Sequence, residues 1–203
     1  MDPRHAACDR LHQLGSHLAL NDLDSVMGVQ AVSSIDTMTP SQSAIAKLFP
    51  QMISISSAHF VDEDAVHFRC LTQLQWITMT SSSFGDLALF HIRGMPFIRG
   101  LEIANTSVTD AGLVHLSSLQ CLRSLTLDGN HVTDAGMPHI ANSRSLEIIE
   151  LRGTQITDTG LAPLATIPSL MSIVAENTQV TATGATRFLD AAKQHLPDLE
   201  VVL

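Results

Sequence analysis

The chain has 203 residues and a net charge of −9, from 20 acidic and 11 basic side chains. At 45% hydrophobic and 15% charged it reads as globular rather than disordered. With no cluster of Lys and Arg, it excludes nucleic acid and an anionic membrane surface as partners.

The opening stretch, "MDPRHAACDRLHQLGSHLAL", lacks an uninterrupted apolar run behind a basic end, so no signal peptide or membrane span is expected. A helix is expected over about residues 6–20, weakened by Gly15, and a strand over 27–34. "MTPSQSAIAKLF" (38–49) sets Thr39 before Pro40, with Gln42 three residues after the Thr, which is a capping-box start with proline at the first helical position. Residues 1–50 thus read as an N-terminal helical cap or a decayed repeat, with a separate interaction segment as the alternative. Cys8, Cys70 and Cys121 are odd in number, far apart and without a CxxC pair, so neither a disulfide framework nor a zinc site is expected. A reducing, cytoplasmic setting fits.

From residue 51 onward the chain repeats on a 24-residue step. "FIRGLEIANTSVTDAGLVHLSSLQ" (97–120), "CLRSLTLDGNHVTDAGMPHIANSR" (121–144) and "SLEIIELRGTQITDTGLAPLATIP" (145–168) align without gaps. The step runs on through 169–189 and, more weakly, back through 73–95 and 51–71. Apolar residues fall in fixed columns: Ile53, Ile77, Leu101, Leu125, Ile149 and Ile173 form one. Ile55, Met79, Ile103, Leu127, Leu151 and Ala175 form a second. Each "LxL" is a period-2 alternation, so each repeat opens with a short strand whose apolar residues share one face. Asn130, or Thr106, Thr154 and Thr178 in its place, then satisfies backbone groups of the turn leaving the strand. "TDxG" starts a helical turn, with Thr109, Thr133, Thr157 and Thr181 as N-caps and Asp110, Asp134 and Asp158 favouring the positive end of their own helix. Leu113 with Leu116, and Leu161 with Leu164, then face the strands.

The fixed period and the LxxLxLxxN pattern, complete in "LRSLTLDGN" (122–130), form the signature of a leucine-rich repeat. The array resembles the bacterial, TDAGL-type leucine-rich-repeat proteins, closely over 97–189 and fairly over 51–96. The resemblance implies a ribonuclease-inhibitor-like solenoid: an α/β right-handed superhelix with a parallel concave sheet and helices on the convex side. It makes 51–203 an array of about six repeats closed by a helix and a strand. It also implies an interaction scaffold, since that is how the family is mostly known.

His67, His91, His115 and His139 stand 24 residues apart. At about 100° per residue, His115 lies about 100° from Leu116 and 200° from Leu113, away from the core direction. No Cys, Asp or Glu completes a metal site at matching positions, so these side chains are expected to line the outer helical surface without a metal or cofactor. There is no GxSxG, P-loop, HExxH or GxGxxG, and no enzyme activity is expected. Ser81, Ser82 and Ser83 read as a turn, and the acids of "DEDA" (62–65) as serving a helix start.

The side chains between the leucines face outward on the concave sheet. They include Trp76, the only tryptophan, with Thr78, Glu102, Thr126, Asp128, Ile148, Glu150, Arg152 and Glu176 as candidate binding residues. The expected function is a non-enzymatic module that binds a protein or peptide on this face. The alternative is a structural or assembly factor packing through its strand edge into a homo-oligomer or larger complex. The last strand, "LEVVL" (199–203), is expected to turn Leu199 and Val202 inward and leave Val201 and Leu203 more exposed, and a weak homodimer is expected through its open edge or through the N-terminal cap.

Overall fold

The computed structural model describes residues 74–203 together with Asp62, Ala65 and the backbone of His17–Leu20 and Met52–Ser56. The remainder of the expected N-terminal cap, including the strand over 27–34 and the helix over 38–49, lies outside the described residues.

The strands are β1 (His17–Leu20), β2 (Met52–Ser56), β3 (Trp76–Thr78), β4 (Gly100–Glu102), β5 (Ser124–Thr126), β6 (Ile148–Glu150), β7 (Ser172–Val174) and β8 (Glu200–Val202). They form one sheet in sequence order. β2 to β8 run parallel, and β1 pairs antiparallel with β2. The helix expected over 6–20 is therefore a strand in its last four residues. Pairing with β2 gives that segment tertiary partners that a local helical reading does not see.

Among the described residues, five helices alternate with the strands: α1 (Asp86–Ile92), α2 (Asp110–Leu113), α3 (Met137–Ile140), α4 (Asp158–Leu161) and α5 (Ala182–Ala192). α2 and α4 continue as 3₁₀ turns over Val114–Ser118 and Ala162–Thr166. The core lies between sheet and helices. Ile77, Leu101, Leu125, Ile149 and Ile173 on the strands are buried in one cluster with Leu89, Leu113, Leu116, Leu161 and Leu164 from the helical side. Each such side chain contributes about 1.5–3 kcal/mol on burial. No single repeat encloses its own core, so stability is shared between neighbours.

The register departs from 24 at both ends. Ile55, not Ile53, sits opposite Ile77, and Ile173 sits opposite Val201, a step of 28. A one-residue change of register exchanges the two faces of a strand. Hence Val201 packs against the core while Val202 is 42% exposed, the reverse of the sequence expectation. Leu199 is buried as expected and Leu203 is exposed.

Two features not read from the sequence hold the repeats together. The turn after each strand places Ser81, Asn105, Gly129, Gly153 and Asn177 in the left-handed region, with φ between 52° and 68°. Gly and Asn tolerate this conformation best, which explains their recurrence in that column. The second feature is a ladder of aspartates. Each Asp of "TDxG" caps the following repeat in addition to standing at its own helical turn, as Asp110 and Asp158 do in the first turns of α2 and α4. Asp86 Oδ1 accepts from the Thr109 amide at 2.9 Å and its Oδ2 from the Thr109 hydroxyl at 2.6 Å. Asp110 does the same with Thr133, Asp134 with Thr157 and Asp158 with Thr181. Asp62 begins the series by accepting from the Gly85, Leu87 and Ala88 amides, so it serves a helix start one repeat on. The glycine two residues after Asp110, Asp134, Asp158 and Ala182 leaves room for the carboxylate of the preceding repeat. A Cβ on Gly112, Gly136, Gly160 or Gly184 would collide with Asp86, Asp110, Asp134 or Asp158 respectively.

Candidate functional site

The outward faces of β3 to β8 make one open surface, because the helices and the core occupy the opposite side of the sheet. Register sets its rows. Trp76, Gly100, Ser124, Ile148 and Ser172 lie side by side across five strands. Thr78, Glu102, Thr126, Glu150 and Val174 form the next row.

Trp76 and Ile148 are 42% and 41% exposed. They are three strands apart, so about 14 Å at the usual strand spacing. Gly100 between them is buried beneath the indole: a Cβ there would come within 2.5–2.6 Å of the Trp76 ring carbons. Glycine is therefore what lets the ring lie across the neighbouring strand. Trp76 is a fixed aromatic surface with one side seated on backbone.

The carboxylates gather toward the strand ends. Arg152 is their hub. Its Nη1 donates to Asp128 Oδ2 and to Glu150 Oε2, each at 2.9 Å, and its Nε donates to Glu176 Oε2 at 2.8 Å. These hydrogen bonds to Asp128, Glu176 and Glu150 raise the guanidinium pKa above its ordinary value. The Arg152 amide also donates to Asp128 Oδ1 at 2.8 Å. Glu102, by contrast, accepts only a 3.3 Å bond from the Thr78 hydroxyl. Thr126 makes the equivalent contact to Glu150 at 3.4 Å. The structure thus brings the nine candidate residues onto one face. The hub role of Arg152 was not readable, because it joins a residue on its own strand to two that are 24 residues away in either direction.

On the helical side, His91, His115 and His139 are half-buried rather than solvent-facing, and His67 lies outside the described residues. His115 stacks edge-on against Phe90 with ring centroids 5.5 Å apart. Arg93 sits 3.7 Å above the same Phe90 ring. Burial and, next, the positive charge of Arg93 lower the His115 pKa, with Asp86 opposing. The folded state thus favours neutral His115. Its stabilisation is complete above about pH 6.5, the unfolded value, and is lost as pH falls through the lower folded value. His115→Gln should therefore shrink the drop in melting temperature between pH 7.5 and pH 5, measured by circular dichroism. An equal drop in both proteins would remove His115 as the cause. Among the described residues no group of three or more His, Cys, Asp or Glu could hold a metal, and no helix is long and apolar enough to cross a membrane.

The leucine-rich-repeat family model matches residues 118–140 and 142–165. The described array is a leucine-rich-repeat solenoid. Three solved bacterial structures are similar in fold. A leucine-rich-repeat protein of Leptospira interrogans superposes with a TM-score of 0.59 at 13% identity, covering 84% of this chain and 41% of its own. An internalin of Listeria monocytogenes gives 0.51 at 15% identity, covering 79% of this chain and 49% of its own. The internalin C2 of the same organism gives 0.50 at 17%, covering 79% and 73%. This chain thus spans less than half the length of the first two solenoids. No curated protein matches it.

Proposed function

We propose that this solenoid is a non-enzymatic protein-interaction module whose open, concave face binds a protein or peptide. The observation that carries the reading is the pair Trp76 and Ile148, both more than 40% exposed on one row of a sheet with small residues between them. Large apolar side chains standing on a regular sheet face cost solvation unless something covers them, and tryptophan is enriched where binding energy concentrates. Thr78, Glu102, Thr126, Asp128, Glu150, Arg152 and Glu176 supply the polar surroundings that give such an interface orientation. Kinship of fold with the internalins supports an interaction role in general and says nothing of the partner.

Trp76→Ala should weaken capture of a partner by at least about tenfold, the effect of a hot-spot truncation. The double change Glu102→Lys/Glu150→Lys should act in the same direction. Pull-down against wild-type chain measures both, with circular dichroism showing an unchanged fold. Normal capture by these variants, together with loss on changing the exposed helical-side residue Val114, would move the binding surface to the other side.

The second reading is assembly through β8. It draws on the exposed Val202 and Leu203 beside a strand edge that only β7 pairs among the described residues. In that case association is with a copy of the chain, and light scattering separates it from the first reading.

A further inference from the structure

The open face carries its charge unevenly, and the imbalance selects a partner chemistry. Asp128, Glu150 and Glu176 share one guanidinium, that of Arg152. Glu102 has no cationic partner among the described residues and accepts only from Thr78. Four carboxylates therefore stand against one cation along the ends of the strands. At the opposite ends of the strands lie Arg99, exposed, and Arg123, paired with Glu147 at 2.6 Å. A segment lying along one strand would cross both signs. A segment lying across the strands would meet one sign throughout.

We propose that the face receives a basic segment of a protein partner, laid across the strands, with arginine or lysine side chains spaced three residues apart. This rests on the reading of the open face as the binding surface and adds the chemistry of its occupant. Glu102 and Glu150 are two strands apart, about 9.6 Å at the usual spacing. An extended chain advances about 3.1–3.3 Å per residue, so three residues match that distance. Trp76 supplies the first position. Its indole lies over Gly100, and Glu102 follows two residues along the same strand, about 6.6 Å on. A guanidinium stacked on that ring meets the negative face of the π-system and directs its N–H groups at a carboxylate. Apolar residues of the segment then fall toward Ile148. The chain's net charge of −9 draws such a segment in and repels an acidic one, a phosphate backbone or a second copy of itself.

The test uses the full chain and three fluorescein-labelled dodecapeptides built from Arg-Ser-Leu, Ser-Ser-Leu or Glu-Ser-Leu repeats, read by anisotropy. The arginine peptide should bind at least about tenfold more tightly than either of the others. Glu102→Lys/Glu176→Lys should weaken it by at least about tenfold, whereas Asp190→Lys/Asp198→Lys, the same charge change at exposed positions off this face, should cost less than about threefold. Equal losses from both pairs, or no binding of the arginine peptide, overturn the proposal. If the serine or glutamate peptide binds as well and Trp76→Ala abolishes it, the basic occupant is wrong and the open-face reading stands. If Trp76→Ala leaves arginine-peptide binding intact and both charge pairs weaken it equally, both readings fall.

Discussion

Asp134→Ala should destabilise the solenoid by about 2–3 kcal/mol, and Gly160→Ala in that background should cost almost nothing further. Asp134 accepts from the Thr157 amide at 2.7 Å, the Thr157 hydroxyl at 2.6 Å and the Thr159 hydroxyl at 2.5 Å. Hydrogen bonds to a charged acceptor are worth about 1.5–3 kcal/mol each when shielded. This site is half-exposed, so the sum is discounted toward the value of a single bond. In the wild-type background Gly160→Ala drives a methyl into the same carboxylate and should cost about 1–3 kcal/mol. The two changes share one cause, so they must be strongly non-additive in a double-mutant cycle followed by urea denaturation. Additive costs would show that the glycine serves only its own backbone. The pH dependence has a defined sign. Burial pushes the Asp134 carboxyl up, but hydrogen bonds from Thr157, Thr159 and the Thr157 and Gly160 amides outweigh it and hold the group below its ordinary value. The stabilisation is present above about pH 3.9 and lost as pH falls through the folded value, so the gap between wild type and Asp134→Ala should close in acid.

Asn130→Ala should cost about 2–4 kcal/mol, against about 1 kcal/mol for Asn130→Thr. Asn130 is buried, and it reaches back one repeat. Its Nδ2 donates to the Ile103 carbonyl at 2.5 Å, while its Oδ1 accepts from the Thr106 amide at 2.7 Å and the Thr106 hydroxyl at 2.9 Å. Either change removes the Asn130 Oδ1 acceptor of the Thr106 amide, but alanine in addition offers no hydroxyl to this closed environment. Threonine is the residue three other repeats use there, at 106, 154 and 178. Thr154 and Thr178 donate to the carbonyls of Leu151 and Ala175, three residues back, and the Thr154 amide bonds to the Leu151 carbonyl as well. The Asn130→Thr hydroxyl can take the Leu127 carbonyl in the same way. Thermal melts of the two variants check the order, and a threonine variant as unstable as alanine would refute it.

The strand columns were legible because burial imposes them: a residue such as Leu125 must point into the core in every repeat, so its spacing is written directly in the sequence. The outward positions of Trp76, Glu102 and Arg152 followed from alternation alone. The aspartate ladder was not legible in its true form. Asp110 at the start of its own helix looks like a local dipole partner, and nothing local reveals a bond to Thr133. The same holds for the Gly85 position, where Asp62 accepts from the Gly85, Leu87 and Ala88 amides. Register failed at β2 and β8, where loop length changes and side-chain pattern alone cannot tell a step of 24 from 22, or of 29 from 28. Half-burial of the histidines was missed because a single-helix projection omits neighbours such as Phe90.

The ladder also bears on how such a chain changes length. Because Asp86, Asp110, Asp134 and Asp158 each address the Thr of the next unit, and Gly112, Gly136, Gly160 and Gly184 clear space for the Asp before them, these contacts are invariant under translation by one unit. Excision of residues 145–168 would bring Asp134 to Thr181 and Gly184 with the ladder unbroken, although it would also remove Arg152 from between Asp128 and Glu176. Gain and loss of whole units by unequal recombination is thus conformationally neutral for the ladder inside the array. A cut that is not a whole number of units breaks a cap, a glycine clearance and a strand register at once. The unit whose helix opens at Ala182 differs: it has no carboxylate at that position to offer a following helix, so new units are tolerated upstream of it and not directly after it.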